Sequence, residues 1–131
     1  MKLFDFDPNK LYLPHNLYEM SNLGYIDDVY EVAVYDNEGP VPHMHIFKGN
    51  PKRPEWQTFV KLGFPEYFPH GKKHFSTMDS KLKKLFISFM ESPSDEEGAN
   101  LTNWQDAVRY WNRHSRYKLS YMVPMPDYSL L

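Results

Sequence analysis

The chain contains no cysteine, which excludes disulfides, thiolate metal ligands and a cysteine nucleophile, and suits a reducing compartment. It has no run of apolar residues long enough to span a bilayer, and Met1 to Lys10 carry aspartates in place of a basic segment followed by an apolar one. A soluble cytoplasmic protein is therefore expected. Strong charge of one sign is missing as well: the formal net charge is −2. Its distribution is uneven, with eight acids against Lys2 and Lys10 up to Glu38, then nine bases against Glu55, Glu66 and Asp79 from Lys48 to Lys84. Opposed halves or an ordinary solvated surface explain this more simply than a nucleic-acid site, because the bases form no single dense patch. The sequence also lacks any complete catalytic or cofactor signature, internal repeat or low-complexity tract.

Aromatic residues, by contrast, are abundant. Ten tyrosines, nine phenylalanines and three tryptophans make up 17% of 131 residues, enough to supply both an aromatic core and a contact surface. A chain of this length buries one core without staples. Residues 1–28 lack sustained periodicity and are punctuated by Pro8, Pro14, Asn16, Asn22 and Gly24, which suggests an N-terminal arm packed on a single domain over 29–131. Tyr12, Leu13, Leu17, Tyr18 and Met20 would make that contact.

From Tyr30 to Tyr35 apolar residues alternate, with Tyr30, Val32 and Val34 on one face and Glu31, Ala33 and Tyr35 on the other. The turn Asn37-Glu38-Gly39-Pro40-Val41-Pro42 leads into a second strand. There His43, His45 and Phe47 share one face, with Met44, Ile46 and Lys48 on the other. Glu55 to Leu62 returns as a third strand, completing an antiparallel meander. A loop rich in proline and aromatics follows. Next comes a helix with Ser76 as its cap, Leu82, Leu85, Phe86, Phe89 and Met90 on its apolar face, and Ser92-Pro93 as its stop. An acidic linker at 94–98 precedes a second helix opened by Thr102-Asn103-Trp104-Gln105, with Trp104, Ala107, Val108 and Trp111 facing the core. Lys118 to Val123 reads as an edge strand. The expected fold is α+β: a small meander, two C-terminal helices on one face, and the aromatic arm.

Two histidines one residue apart on a strand point the same way, so His43 and His45 can chelate a metal or pair an acid with a base. A metal would need His70 and His74 from the loop after the third strand, or Asp36 and Glu38 from the hairpin turn. The alternative is that the imidazoles bond the turn backbone and pack on aromatics such as Phe47, Tyr35 or Trp56. Three known patterns match only in part. Cupin sites use such a histidine pair but need many more strands. His74-Phe75-Ser76 is one half of the signature of two-histidine phosphoesterases. Arg109 and His114 have a spacing seen in all-helical ribonucleases, but the rest of this chain is not helical.

The wider arrangement resembles a group of uncharacterised small bacterial proteins that carry P-P-H-F-H-V hairpins. The resemblance covers about Val29 to Arg113. It rests on Val41-Pro42-His43-Met44-His45-Ile46, on Glu66-Tyr67-Phe68-Pro69-His70-Gly71, and on Thr102-Asn103-Trp104 with Trp111-Asn112; Met44 stands where that pattern has phenylalanine. It implies that these segments recur as one packed unit, and that some relatives are encoded in toxin–antitoxin-like gene pairs or on mobile elements.

These readings leave three functional expectations. The first is an accessory protein, bacterial or phage, that binds another protein through His43, His45, Tyr35, Tyr67 and Phe68. The second is a metal-dependent hydrolase or nuclease with His43, His45, His70 and His74 as ligands and Asp36 or Glu38 as base. The third is nucleic-acid binding through Lys72 to Lys84, with Tyr67, Phe68 or Phe75 stacking on bases. The incomplete catalytic set favours the first. A divalent metal is the one cofactor the histidines could hold.

Overall fold

The computed structural model describes residues 20–36, 38–95, 100–120 and 122–131. Four antiparallel strands, β1 (Met20–Ile26), β2 (Tyr30–Tyr35), β3 (His43–Asn50) and β4 (Arg53–Lys61), lie in the order β1-β2-β3-β4. Helices α1 (Ser80–Glu91) and α2 (Asn103–His114) follow, and a short 3-10 turn, Tyr128–Leu130, comes near the end. The α+β class is as expected, with one strand more than the meander read from the sequence. Among the described residues, no helix is long and apolar enough to cross a membrane.

The additional strand comes from the end of the segment read as an arm; residues 1–19 of that segment lie outside the described residues. A β-bulge between Asn22 and Gly24 breaks the period-two pattern, so the buried residues are Leu23 and Ile26, three apart. Gly24 sits at φ +138°, and a Cβ there would meet the Phe89 ring at 3.2 Å, so the bulge lets α1 approach the sheet.

Alternation along β2, β3 and β4 gives the sheet two different faces. On one, Val32 pairs with Ile46 and Met44 with Val60, and these join Leu82, Phe86, Met90, Trp104, Val108 and Trp111 in the main core. On the other, Ala33 pairs with His45, which pairs with Phe59. The helices cover the first face, and the segment after β4 runs along the sheet's edge. Phe68 N donates to Phe59 O (2.8 Å) and Ser76 N to Gln57 O (2.8 Å), which satisfies backbone groups an edge strand would leave open.

That pairing explains a shift in the first helix. With Ser76 N engaged by β4, Asp79 becomes the cap and accepts from Leu82 N at 2.8 Å. Helix α2 opens on the expected capping box, with Thr102 and Gln105 reciprocating. Two sequence expectations fail. Leu85 is exposed, because the buried stripe of α1 runs Leu82, Phe86, Met90. Among the described residues, Lys118 to Val123 contains no strand: the Asn112 amide bonds both Leu119 N (2.9 Å) and Leu119 O (2.6 Å), occupying the groups a ladder would use. The chain end is anchored instead by buried Tyr128, whose hydroxyl donates to Lys61 O at 2.7 Å.

Trp111 is buried and its Nε1 donates to Tyr117 O at 2.9 Å. Trp111→Ala is expected to lower unfolding free energy by about 3–5 kcal/mol, and Leu85→Ala by less than about 1 kcal/mol. Denaturant midpoints check both, and equal effects would contradict the assigned core.

Candidate metal centre

The turn between β2 and β3 brings Glu38 over the start of β3, where His43 and His45 share a face. Pro42 O accepts from Leu62 N at 2.9 Å, which fixes the hairpin against the end of β4. His70 arrives from the other side on a tight turn in which Lys73 N donates to His70 O (3.1 Å) and Gly71 takes φ +61°.

These elements bring four side chains together. Glu38 Oε1 lies 3.1 Å from His43 Nε2 and also contacts His45 Nε2, while Oε2 lies 3.1 Å from His70 Nε2. One ligand atom from each of the four residues lies within 4.8 Å of all the others. Donors bound to a tetrahedral zinc ion at about 2.0–2.1 Å stand about 3.3 Å apart, so the spacing has the scale of a metal shell. Exposure is graded: the His43 side chain is sealed at 0%, Glu38 and His45 show 9%, and His70 shows 20%. The cluster therefore opens on the His45 and His70 side, into a cavity of about 430 Å³ also lined by Tyr35, Phe47, Gln57 and Lys73.

The protons can be partly placed. His43 Nδ1 lies 2.8 Å from Val41 O, and a carbonyl only accepts, so Nδ1 carries hydrogen. With Nδ1 so engaged, His43 turns Nε2 toward the Glu38 carboxylate, and that nitrogen can meet an electron-rich oxygen only around a proton or a cation. The same backbone bond is the usual way a protein orients a metal-binding imidazole. Burial pushes His45 down to about 4 despite the hydrogen bond and charge of Glu38, so it is neutral at pH 7. Burial works against ionisation of Glu38, but a proton on the facing His43 and His45 nitrogens, through its hydrogen bonds and its charge, outweighs burial and holds the carboxyl below its usual range. Burial, aided by Glu38 and Glu31, raises Tyr35 and keeps its phenol protonated.

Aromatic rings wall the cluster. Phe68 stacks on His43 with centroids 4.2 Å apart, Tyr35 lies 4.3 Å from His45, and Phe59 stands edge-on to His45 at 4.9 Å. The contacts expected of an interaction module, turn carbonyl and aromatic rings, are thus present at His43. They occur together with the convergent carboxylate and third histidine that such a module would lack.

Other candidates from the sequence lie elsewhere. His74 is exposed, and its backbone carbonyl accepts from Gln57 Nε2 at 2.8 Å. Asp36 turns to His114, 3.6 Å away. The Tyr67 hydroxyl accepts from Met78 N at 2.8 Å and braces the approach to α1. The lysines divide between layers: Lys72 and Lys73 are exposed on the His70 loop, Lys81 and Lys84 are exposed on α1, and Lys83 reaches Leu131 O at 2.8 Å. A larger cavity of about 590 Å³, between the helices and residues 123–128, contains no histidine. Comparisons of the chain with family models, with curated proteins and with solved structures find no match.

The shift at His45 has a consequence for stability. Its folded pKa lies below the ordinary value of 6.5, so between those limits the unfolded chain binds more protons and stability falls as pH falls. Glu38, depressed when folded, adds a loss in the same direction below pH 4.5. Metal-free protein is expected to show an unfolding free energy that declines as pH falls from about 6.5 to about 4, by up to about 1.4 kcal/mol per pH unit, and a thermal midpoint that falls with it. Thermal melts across that range check it, and a flat or rising midpoint would contradict the buried neutral imidazole.

Proposed function

We propose that the protein is a metal-dependent enzyme in which Glu38, His43, His45 and His70 hold one first-row divalent ion. The observation that carries this reading is the convergence of three Nε2 atoms on one largely buried carboxylate, with His43 held through Nδ1 by Val41 O so that Nε2 faces inward. A nitrogen-rich, thiolate-free donor set suits Zn²⁺, Fe²⁺, Mn²⁺ or Ni²⁺. Four protein donors close a tetrahedral site, whereas an ion that takes five or six keeps positions for water or substrate. Those positions would lie on the cavity side, beside the partly exposed His70.

Such an ion polarises a substrate oxygen or activates a bound water. Glu38 contributes charge to the shell and bridges the hairpin turn to the His70 loop; it is a ligand in this reading, no longer the free base that the sequence suggested. Tyr35, on the cavity wall, offers a protonated phenol as a donor to a bound group.

Protein purified without an affinity tag is expected to contain close to one equivalent of metal by elemental analysis. His70→Ala, on a loop, is expected to lose most of it while keeping its circular dichroism spectrum, and the His43→Ala, His45→Ala double variant to lose all of it. His74→Ala should retain it. Metal-free parent protein that takes up none of the four ions on dialysis, or a double variant with undiminished metal, would overturn the proposal.

A further inference from the structure

The cavity beside the cluster has a composition that selects its occupant. Glu38, His45 and His70 contribute to its floor, Tyr35 and Phe47 supply aromatic surface, and Gln57 and Lys73 complete its polar side. Its volume of about 430 Å³ falls within the usual range for a small-molecule site.

Lys73 is placed there by the backbone. The tight turn that presents His70 to Glu38 ends in the Lys73 N to His70 O bond at 3.1 Å. One residue further on, His74 O accepts from the Gln57 side chain (2.8 Å), and Ser76 N then bonds Gln57 O (2.8 Å). The loop is thus tied to itself and twice to β4, and it carries a ligand histidine and a cation to the same cavity.

Charge decides what fits. Glu38 is the one carboxylate among the residues described as lining the cavity. A divalent ion more than cancels it, and Lys73, an exposed residue of the lining, adds a further positive charge. The rings of Tyr35 and Phe47 offer an organic body an aromatic surface in the same cavity.

We propose that the substrate is a small organic anion whose carboxylate or phosphate group is held by Lys73, with its body against Tyr35 and Phe47 and a second oxygen directed to the ion. This rests on the metal centre proposed above. A nucleic-acid backbone is the poorer fit, because Lys81 and Lys84 lie on α1, in the layer on the other side of the sheet, and cannot extend a track from Lys73.

Isothermal titration calorimetry on nickel-loaded protein, an ion that takes five or six ligands, with metal content measured on the same samples, tests the inference using benzoate and phenyl phosphate against neutral benzamide. Both anions should bind at least about tenfold more tightly than benzamide, a difference of about 1.4 kcal/mol. Lys73→Gln should remove about that factor for the anions while leaving metal content and benzamide binding unchanged. If metal is bound but anions and benzamide bind alike, or if Lys73→Gln changes nothing, the inference is overturned and the metal centre stands. If single-stranded oligonucleotide binds more tightly than either anion and loses affinity in Lys73→Gln, the substrate is a nucleic acid and the inference is overturned. If no metal binds, the centre and the inference built on it fall together.

Discussion

A carboxylate withdrawn from water must be matched by donors or by positive charge, and at Glu38 that requirement falls on three imidazole rings. With its side chain only 9% exposed and its two oxygens directed at His43, His45 and His70, Glu38 links three separate pieces of chain. The hairpin turn supplies the anion, β3 supplies two rings and the loop after β4 supplies the third. Leaving a buried charge unmatched would cost several kcal/mol, so the position of each piece depends on the other two.

The two faces of the sheet divide the work. The helix-covered face is built from Val32, Met44, Ile46 and Val60 against Phe86, Trp104 and Val108, and its packing gives β3 a fixed register. A one-residue slip would send His43 and His45 into that core and Met44 outward, so the apolar alternation that stabilises the fold also aims the histidines. Trp111 connects the two regions: it belongs to the core, and its ring lies 5.4 Å from that of His43. The helix layer thus reaches the cluster through the Trp111 ring.

Much of this was legible in the sequence where local pattern and tertiary outcome agree. Period-two alternation placed β2 and β3 and put His43 with His45 on one face; the Thr102 capping box marked the start of α2. The α1 cap was misplaced because Ser76 and Asp79 are both good caps, and the choice between them depends on a bond to distant Gln57. Strand β1 was hidden by its bulge, and the Lys118 segment reads as a strand until Asn112 takes its backbone partners. At the site, the sequence offered Asp36, Glu38, His70 and His74, with His70 preferred as the third ligand and nothing to separate Glu38 from Asp36 or His74 as the fourth. Spacing along a chain does not say that Gly71 at φ +61° turns His70 inward while His74 stays exposed, or that Asp36 turns toward His114. The backbone bond from His43 to Val41 O, which sets the ring's tautomer, is visible only once the turn is folded.

The central claim is that three imidazole nitrogens and one carboxylate oxygen bind a single ion together. X-ray absorption spectroscopy on stoichiometrically zinc-loaded protein measures that shell directly. Light N and O scatterers are expected at about 2.0–2.1 Å, with no sulfur and with outer-shell multiple scattering that fits three histidines. A shell that fits no histidine or one, as for an ion held loosely at surface carboxylates, would contradict it.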